Sequence, residues 1–160
     1  MPAPSKPKPK HKHEPANPLT ASPAVAKLQR CTASALSPDL TAAAARQQAA
    51  MRADVQALLA EAMRGGKTTM PKAAFAARIK SIQDRYMDTP TSRALFRVTV
   101  AKCEKEVRSA LALMATTLQA DCDRTRDRRV CAPAERMRKT LARKAKLTAK
   151  DYMSSMRIFQ

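Results

Sequence analysis

The sequence predicts an all-α protein: a small antiparallel helical bundle or hairpin of about four helices behind a disordered basic N-terminal tail. Three observations predict it. The 160 residues include 32 alanines and only two glycines, a composition that favours helix over coil. Prolines at 38, 71, 90 and 133 each stand ahead of a long proline-free stretch, and proline suits the first helical position, where its missing N–H would have no partner. No segment alternates β-branched and polar residues except the short piece Phe96–Val100, which also fits a helical register.

The other seven prolines, at 2, 4, 7, 9, 15, 18 and 23, interleave with Lys6, Lys8, Lys10 and Lys12. Such a stretch favours extended polyproline-like conformers and buries no apolar surface. Residues 1–24 are therefore expected to be a disordered tail, either an arm along phosphates or acidic protein, or a solubilising linker. Residues 25–160 form the helical domain, with a short helix over Val25–Leu36 ahead of the main ones.

The first main helix should span about 38–64. Ser37 can cap it, Asp39 suits its positive end, and Gly65-Gly66 stops it. Met51, Val55, Leu58 and Ala62 form its apolar stripe. The second, about 71–88, carries Phe75, Ile79, Ile82 and Tyr86 on one face and ends before Thr89-Pro90. The third and longest, about 90–121, aligns Phe96, Val100, Cys103, Val107, Leu111, Met114 and Leu118. The fourth should start at Pro133 and run to about 157 with a break near 147. Met137, Leu141 and Ala145 form its thin stripe, and Thr148 with Asp151 gives a capping box after the break.

These stripes bury little. Leu, Ile, Val and Phe together number 24, or 15% of the chain, and the formal net charge is +18, a combination common in disordered proteins. At ~25 cal/mol per Å² of apolar burial, seams of alanine and methionine leave a narrow margin, so the domain is expected to need disulfides or a partner. Cysteines stand at 31, 103, 122 and 131. One continuous helix would hold Cys103 and Cys122 about 28 Å apart, too far to bond. Cys122–Cys131 with Cys31–Cys103 remains open, as does Cys31–Cys131 with the other two reduced. Either disulfides in an oxidising compartment or free thiols, with Cys103 a small core residue, fit the count.

Several chemistries are excluded. The histidines, His11 and His13, both lie in the tail, so the helical body holds no Ser-His-Asp or Cys-His centre. Its acids are scattered among Lys and Arg, as on solvated faces. Gly65-Gly66-Lys67-Thr68 resembles a phosphate loop only superficially: Glu61 replaces the required first glycine, and a helix precedes it. An EF-hand loop begun at Asp121 would need Gly and Glu where Arg126 and Ala132 stand. No C-x-x-C offers a zinc site. No catalytic residue, metal or cofactor is expected, and the protein is read as not an enzyme. No stretch reaches the ~18–20 apolar residues that cross a bilayer, and the first thirty residues lack the apolar core of a secretory signal. Neither an integral membrane segment nor a secretory signal is expected.

The most informative segment is 124–146. It holds Arg124, Arg126, Arg128, Arg129, Arg136, Arg138, Lys139, Arg143, Lys144 and Lys146 against Asp127 and Glu135, an excess of +8. Arg136, Lys139 and Arg143 recur at helical spacing and should line one face, with Arg129 where that face begins. Such a face neutralises phosphates through counterion release. With five aromatic residues in the chain, base stacking is poorly served, so nucleic acid would be read by backbone and shape. The expectation is a basic structural subunit of a larger assembly (a nucleoprotein, ribosome-like particle or virion) that meets other subunits and RNA or DNA backbone or acidic protein. The alternative is a disulfide-stapled adaptor, chaperone or envelope component for an acidic partner in an extracytoplasmic or intermembrane space. The compartment is not fixed by the sequence.

Overall fold

The computed structural model describes residues 22–157 and is helical throughout apart from its connections. In order the elements are α1 (Pro23–Ala35), α2 (Pro38–Ala62), a single 3-10 turn (Arg64–Gly66), α3 (Lys72–Met87), α4 (Pro90–Thr125), α5 (Arg128–Ala142) and α6 (Ala149–Arg157). The count is six rather than about four, because the expected last helix is two and α1 is complete. Tail lysines Lys6, Lys8, Lys10 and Lys12 lie outside the described residues. Ser22 and Pro23, expected in the tail, instead cap and open α1, with Ser22 Oγ accepting the Ala24 N–H.

Local chemistry sets most boundaries. Ser37 and Thr89 cap α2 and α4 by accepting the N–H groups of Leu40 and Ser92, with Pro38 and Pro90 as first helical residues. Gly65 and Gly66 turn the chain after α2 with φ of 62° and 73°, a region where an L side chain is strained. Thr148 and Asp151 form the reciprocal capping box at α6: each backbone N–H is taken by the other's side-chain oxygen.

Pro133 does not start a helix. It lies in the second turn of α5, where its missing N–H cannot serve the Arg129 carbonyl. Asp127 sets the start instead, its Oδ1 accepting the Arg129 N–H at 2.9 Å.

At 36 residues α4 is about 54 Å long and is the spine. It carries a kink at Cys103 (φ −126°, ψ 31°). Val100, Val107 and Leu111 are buried along it with Leu147, and Leu28, Met114, Leu141 and Tyr152 pack around them from α1, α4, α5 and α6. Phe96 meets Tyr152 edge-on with ring centres 5.0 Å apart, fixing α6 to the N-terminal half of α4. No helix is long and apolar enough to cross a membrane among the described residues.

Disulfides supplement this small core. Cys31 of α1 is bonded to Cys103, and Cys122 to Cys131 across the α4–α5 corner, with Cα separations of 6.0 and 4.8 Å. They span 72 and 9 residues, which in a chain-entropy account contribute roughly 4 and roughly 3 kcal/mol.

Polar knots do the rest. The α2–α3 hairpin is pinned to α4 through Gln47, whose Nε2 donates to the Tyr86 carbonyl (3.1 Å) and Ser92 Oγ (2.6 Å), while its Oε1 accepts from Thr89 Oγ1. On α4, Arg108 donates to the carbonyls of Leu141 and Ala145, and Glu104 accepts the Leu147 N–H. Together they fasten the α5–α6 connection.

Gln47→Ala strips partners from Ser92, Thr89 and the Tyr86 carbonyl, and should lower unfolding free energy by about 1–3 kcal/mol, read by thermal denaturation. The Leu147 N–H holds Glu104 below its ordinary value of 4.5 against desolvation by burial, with the Arg108 guanidinium adding to the lowering. A carboxylate depressed in the folded state stabilises fully above its unfolded pKa and loses that contribution as pH falls through the folded one. Stability should therefore decline below about pH 4.5, and Glu104→Gln should flatten that decline in acid unfolding curves.

Candidate anion-binding surface at the α4–α5 corner

The corner follows from three local features. The last turn of α4 closes with the Arg126 N–H on the Cys122 carbonyl at 2.8 Å, and Arg126 takes a left-handed conformation (φ 53°). Asp127 then caps α5, and the Cys122–Cys131 bond ties the two turns together. Four arginines, Arg124, Arg126, Arg128 and Arg129, are thereby held on a short rigid tip, all exposed.

Not all the cations are equally available. Arg124 pairs with Asp121, Arg129 with Asp127, Lys139 with Glu135, and Arg143 with Asp151. Arg126, Arg128, Arg136, Arg138 and Lys144 have no carboxylate within ion-pair distance among the described residues. Their side chains are exposed, so their charge is offered outward.

Two of the acids are strongly committed. The Arg129 guanidinium, then the Arg129 N–H, hold the Asp127 carboxyl below the usual range, and the same contact raises Arg129. Partial burial opposes ionisation of Asp151, yet the Thr148 N–H, Arg143 and the Thr148 hydroxyl together hold it low as well.

The expected single face of Arg136, Lys139 and Arg143 is not continuous. Arg136 and Lys139 lie on α5, but Arg143 is its C-cap residue with extended backbone (ψ 136°). Its guanidinium turns to Asp151 at 2.7 Å, joining α5 to α6. Lys144 and Lys146 belong to the connection, at the opposite end of α5 from the corner and about 22 Å from it. The structure thus divides the basic segment into a corner group and a connection group.

Sequence reasoning missed two cations with structural or surface roles. Arg108 clamps the connection, and its i,i+4 spacing from Glu104 was the available signal. Arg157 lies exposed at the end of α6, its Nε–H directed to Met87 Sδ. Cys31, Cys103 and Glu106 gather within 4.8 Å, but both sulfurs are consumed by their disulfide, so this trio has no thiolate to give a metal.

Arginine is a poor choice at a left-handed helix end, where glycine is unstrained. Arg126→Gly should raise stability by about 0.5–1 kcal/mol while weakening binding to a polyanion. Chemical denaturation and anisotropy titrations on the same variant check both halves; a destabilised variant would show that the Arg126 side chain makes a supporting contact.

No known protein family matches the chain, and no curated protein or solved structure matches it either.

Proposed function

We propose that this chain is a non-enzymatic basic subunit of a larger assembly, docking on nucleic-acid backbone or an acidic protein surface through the α4–α5 corner and α5. The observation that carries this reading is the set of uncompensated, exposed cations Arg126, Arg128, Arg136 and Arg138, two of them on a tip closed by a disulfide. A rigid tip keeps the loss of side-chain and loop freedom on docking small. With a net charge of +18, self-repulsion is relieved when anions are met. Absence of histidine from the helical body supports a binding role over catalysis.

A second reading is favoured by the cysteines. Both pairs are bonded and each ties another helix to α4, as suits a stapled adaptor, chaperone or envelope component of an oxidising compartment with an acidic protein partner. A free-thiol count on protein from its native source separates the two settings: none free favours the oxidising compartment, whereas four free thiols favour the intracellular assembly and leave its basic corner held by the Asp127 cap and the Arg126 turn without the disulfide.

The binding site itself is tested by anisotropy with a labelled duplex and with polyglutamate, across salt from about 50 to about 200 mM. Neutralising Arg126, Arg128 and Arg136 together should reduce the log–log salt slope for the duplex by about 3. It should also weaken polyglutamate binding. Unchanged affinity and slope for both ligands would overturn the assignment.

A further inference from the structure

α5 and α6 are both fastened to α4 but leave a cleft of about 600 Å³ between them. One wall is a single face of α5, with Pro133, Arg136, Met137 and Thr140 at helical spacing. The other is a face of α6, with Asp151, Ser154, Ser155 and Arg157. The Arg143–Asp151 pair bridges the two helices at the C-terminal end of α5. From Pro133 to Thr140 the cleft runs about 10 Å, the length of about three extended residues.

The polar groups of the cleft are unevenly spent. Thr140 Oγ1 donates to the Arg136 carbonyl and Ser155 Oγ to the Asp151 carbonyl, so both hydroxyls serve their own helices. The Asp151 carboxylate is occupied on both oxygens, by Arg143 and by the Thr148 N–H. Arg136, by contrast, has no carboxylate partner, and Arg157 has only the Met87 sulfur among the described residues. Met137, 1% exposed, and Ser155, 4% exposed, form the floor, with Pro133 beside them. The apolar part of the cleft floor is Pro133 over the buried Met137, beside Ser155, and it lies between two guanidiniums with no carboxylate partner among the described residues.

We infer that this cleft binds a short acidic segment of a partner protein, an apolar side chain resting on Met137 and Pro133 with carboxylates to either side at Arg136 and Arg157. This rests on the anion-docking reading above and specifies its ligand. A phosphate backbone needs cations but has no group to place on an apolar floor, whereas an acidic peptide with an apolar residue satisfies both features. Guanidinium–carboxylate pairing supplies orientation, and burial of one leucine-sized side chain supplies about a tenfold gain in affinity.

The test uses the oxidised full chain and three labelled probes: two acidic peptides of equal charge, one with interspersed leucines and one with serines in their place, and a short duplex RNA. The leucine peptide should bind about tenfold more tightly than the serine peptide. Ser154→Trp, a change at an exposed position that fills the cleft, should remove that preference and leave RNA binding unchanged. Arg157→Gln should weaken both peptides several-fold, and leucine-peptide binding should shift the amide resonances of Thr140 and Ser154. Equal affinity for the two peptides, or a preference that survives Ser154→Trp, would overturn the inference. Either result could occur while salt-dependent binding through Arg126 and Arg128 persists, so the cleft and the corner fail separately.

Discussion

The other helices gather on α4, whose buried apolar strip from Val100 to Leu111 is too short to hold them by burial alone. Large aliphatic and aromatic residues are scarce, and α1 and α3 bury none of their residues fully. A 13-residue helix such as α1 is marginal in isolation. Its position therefore depends on Leu28 against the core and on the bond from Cys31 to Cys103, itself wholly buried. At the other end of α4, Cys122–Cys131 does the same for the first turns of α5. Covalent ties and polar knots take the place that a larger core would have.

Acidic residues are deployed sparingly in the described part of the chain. The pairs at Glu61–Arg78, Asp54–Arg85 and Asp88–Arg93 bind the α2–α3 hairpin and the α3–α4 corner. Those at Asp121, Asp127 and Glu135 each neutralise one cation near the basic corner and leave its neighbours bare. Exposed pairs of this kind add little stability, roughly 0–1 kcal/mol each. Their effect is local: each acid neutralises one cation, and the hairpin and α5 both keep a net positive charge.

Much of this was legible in the sequence because it is local. Ser37-Pro38 and Thr89-Pro90 announce helix starts through capping and a fixed φ, and the Thr148/Asp151 box does so for α6. The apolar register from Phe96 to Leu118 marks the long helix whose middle is the core, and the rise of that helix alone excludes a Cys103–Cys122 bond. What was not legible depends on contacts between distant segments. Pro133 reads as a helix start by its own preference, yet Asp127 provides the better cap and the disulfide holds the turn before it. Arg143 looks like the next member of a basic face, but α5 ends at Ala142 and the guanidinium finds Asp151 eight residues on. The cleft between α5 and α6 depends in part on Glu104 and Arg108, on another helix, which hold the connection between them.

The cysteine connectivity has a consequence for how the chain comes together. Cys31 bonds to the next cysteine along the chain, Cys103, and Cys122 to the next, Cys131. The two rings are neither nested nor crossed. A chain oxidised as it emerges from its N-terminus would close each ring with the first thiol to arrive, and reach its native connectivity without reshuffling or an isomerase. The second ring, only nine residues apart in sequence, needs a turn and no tertiary docking. The first closes a span of 72 residues and needs α1 docked on α4, so although its thiols emerge earlier, its closure is the slower step once both partners are present.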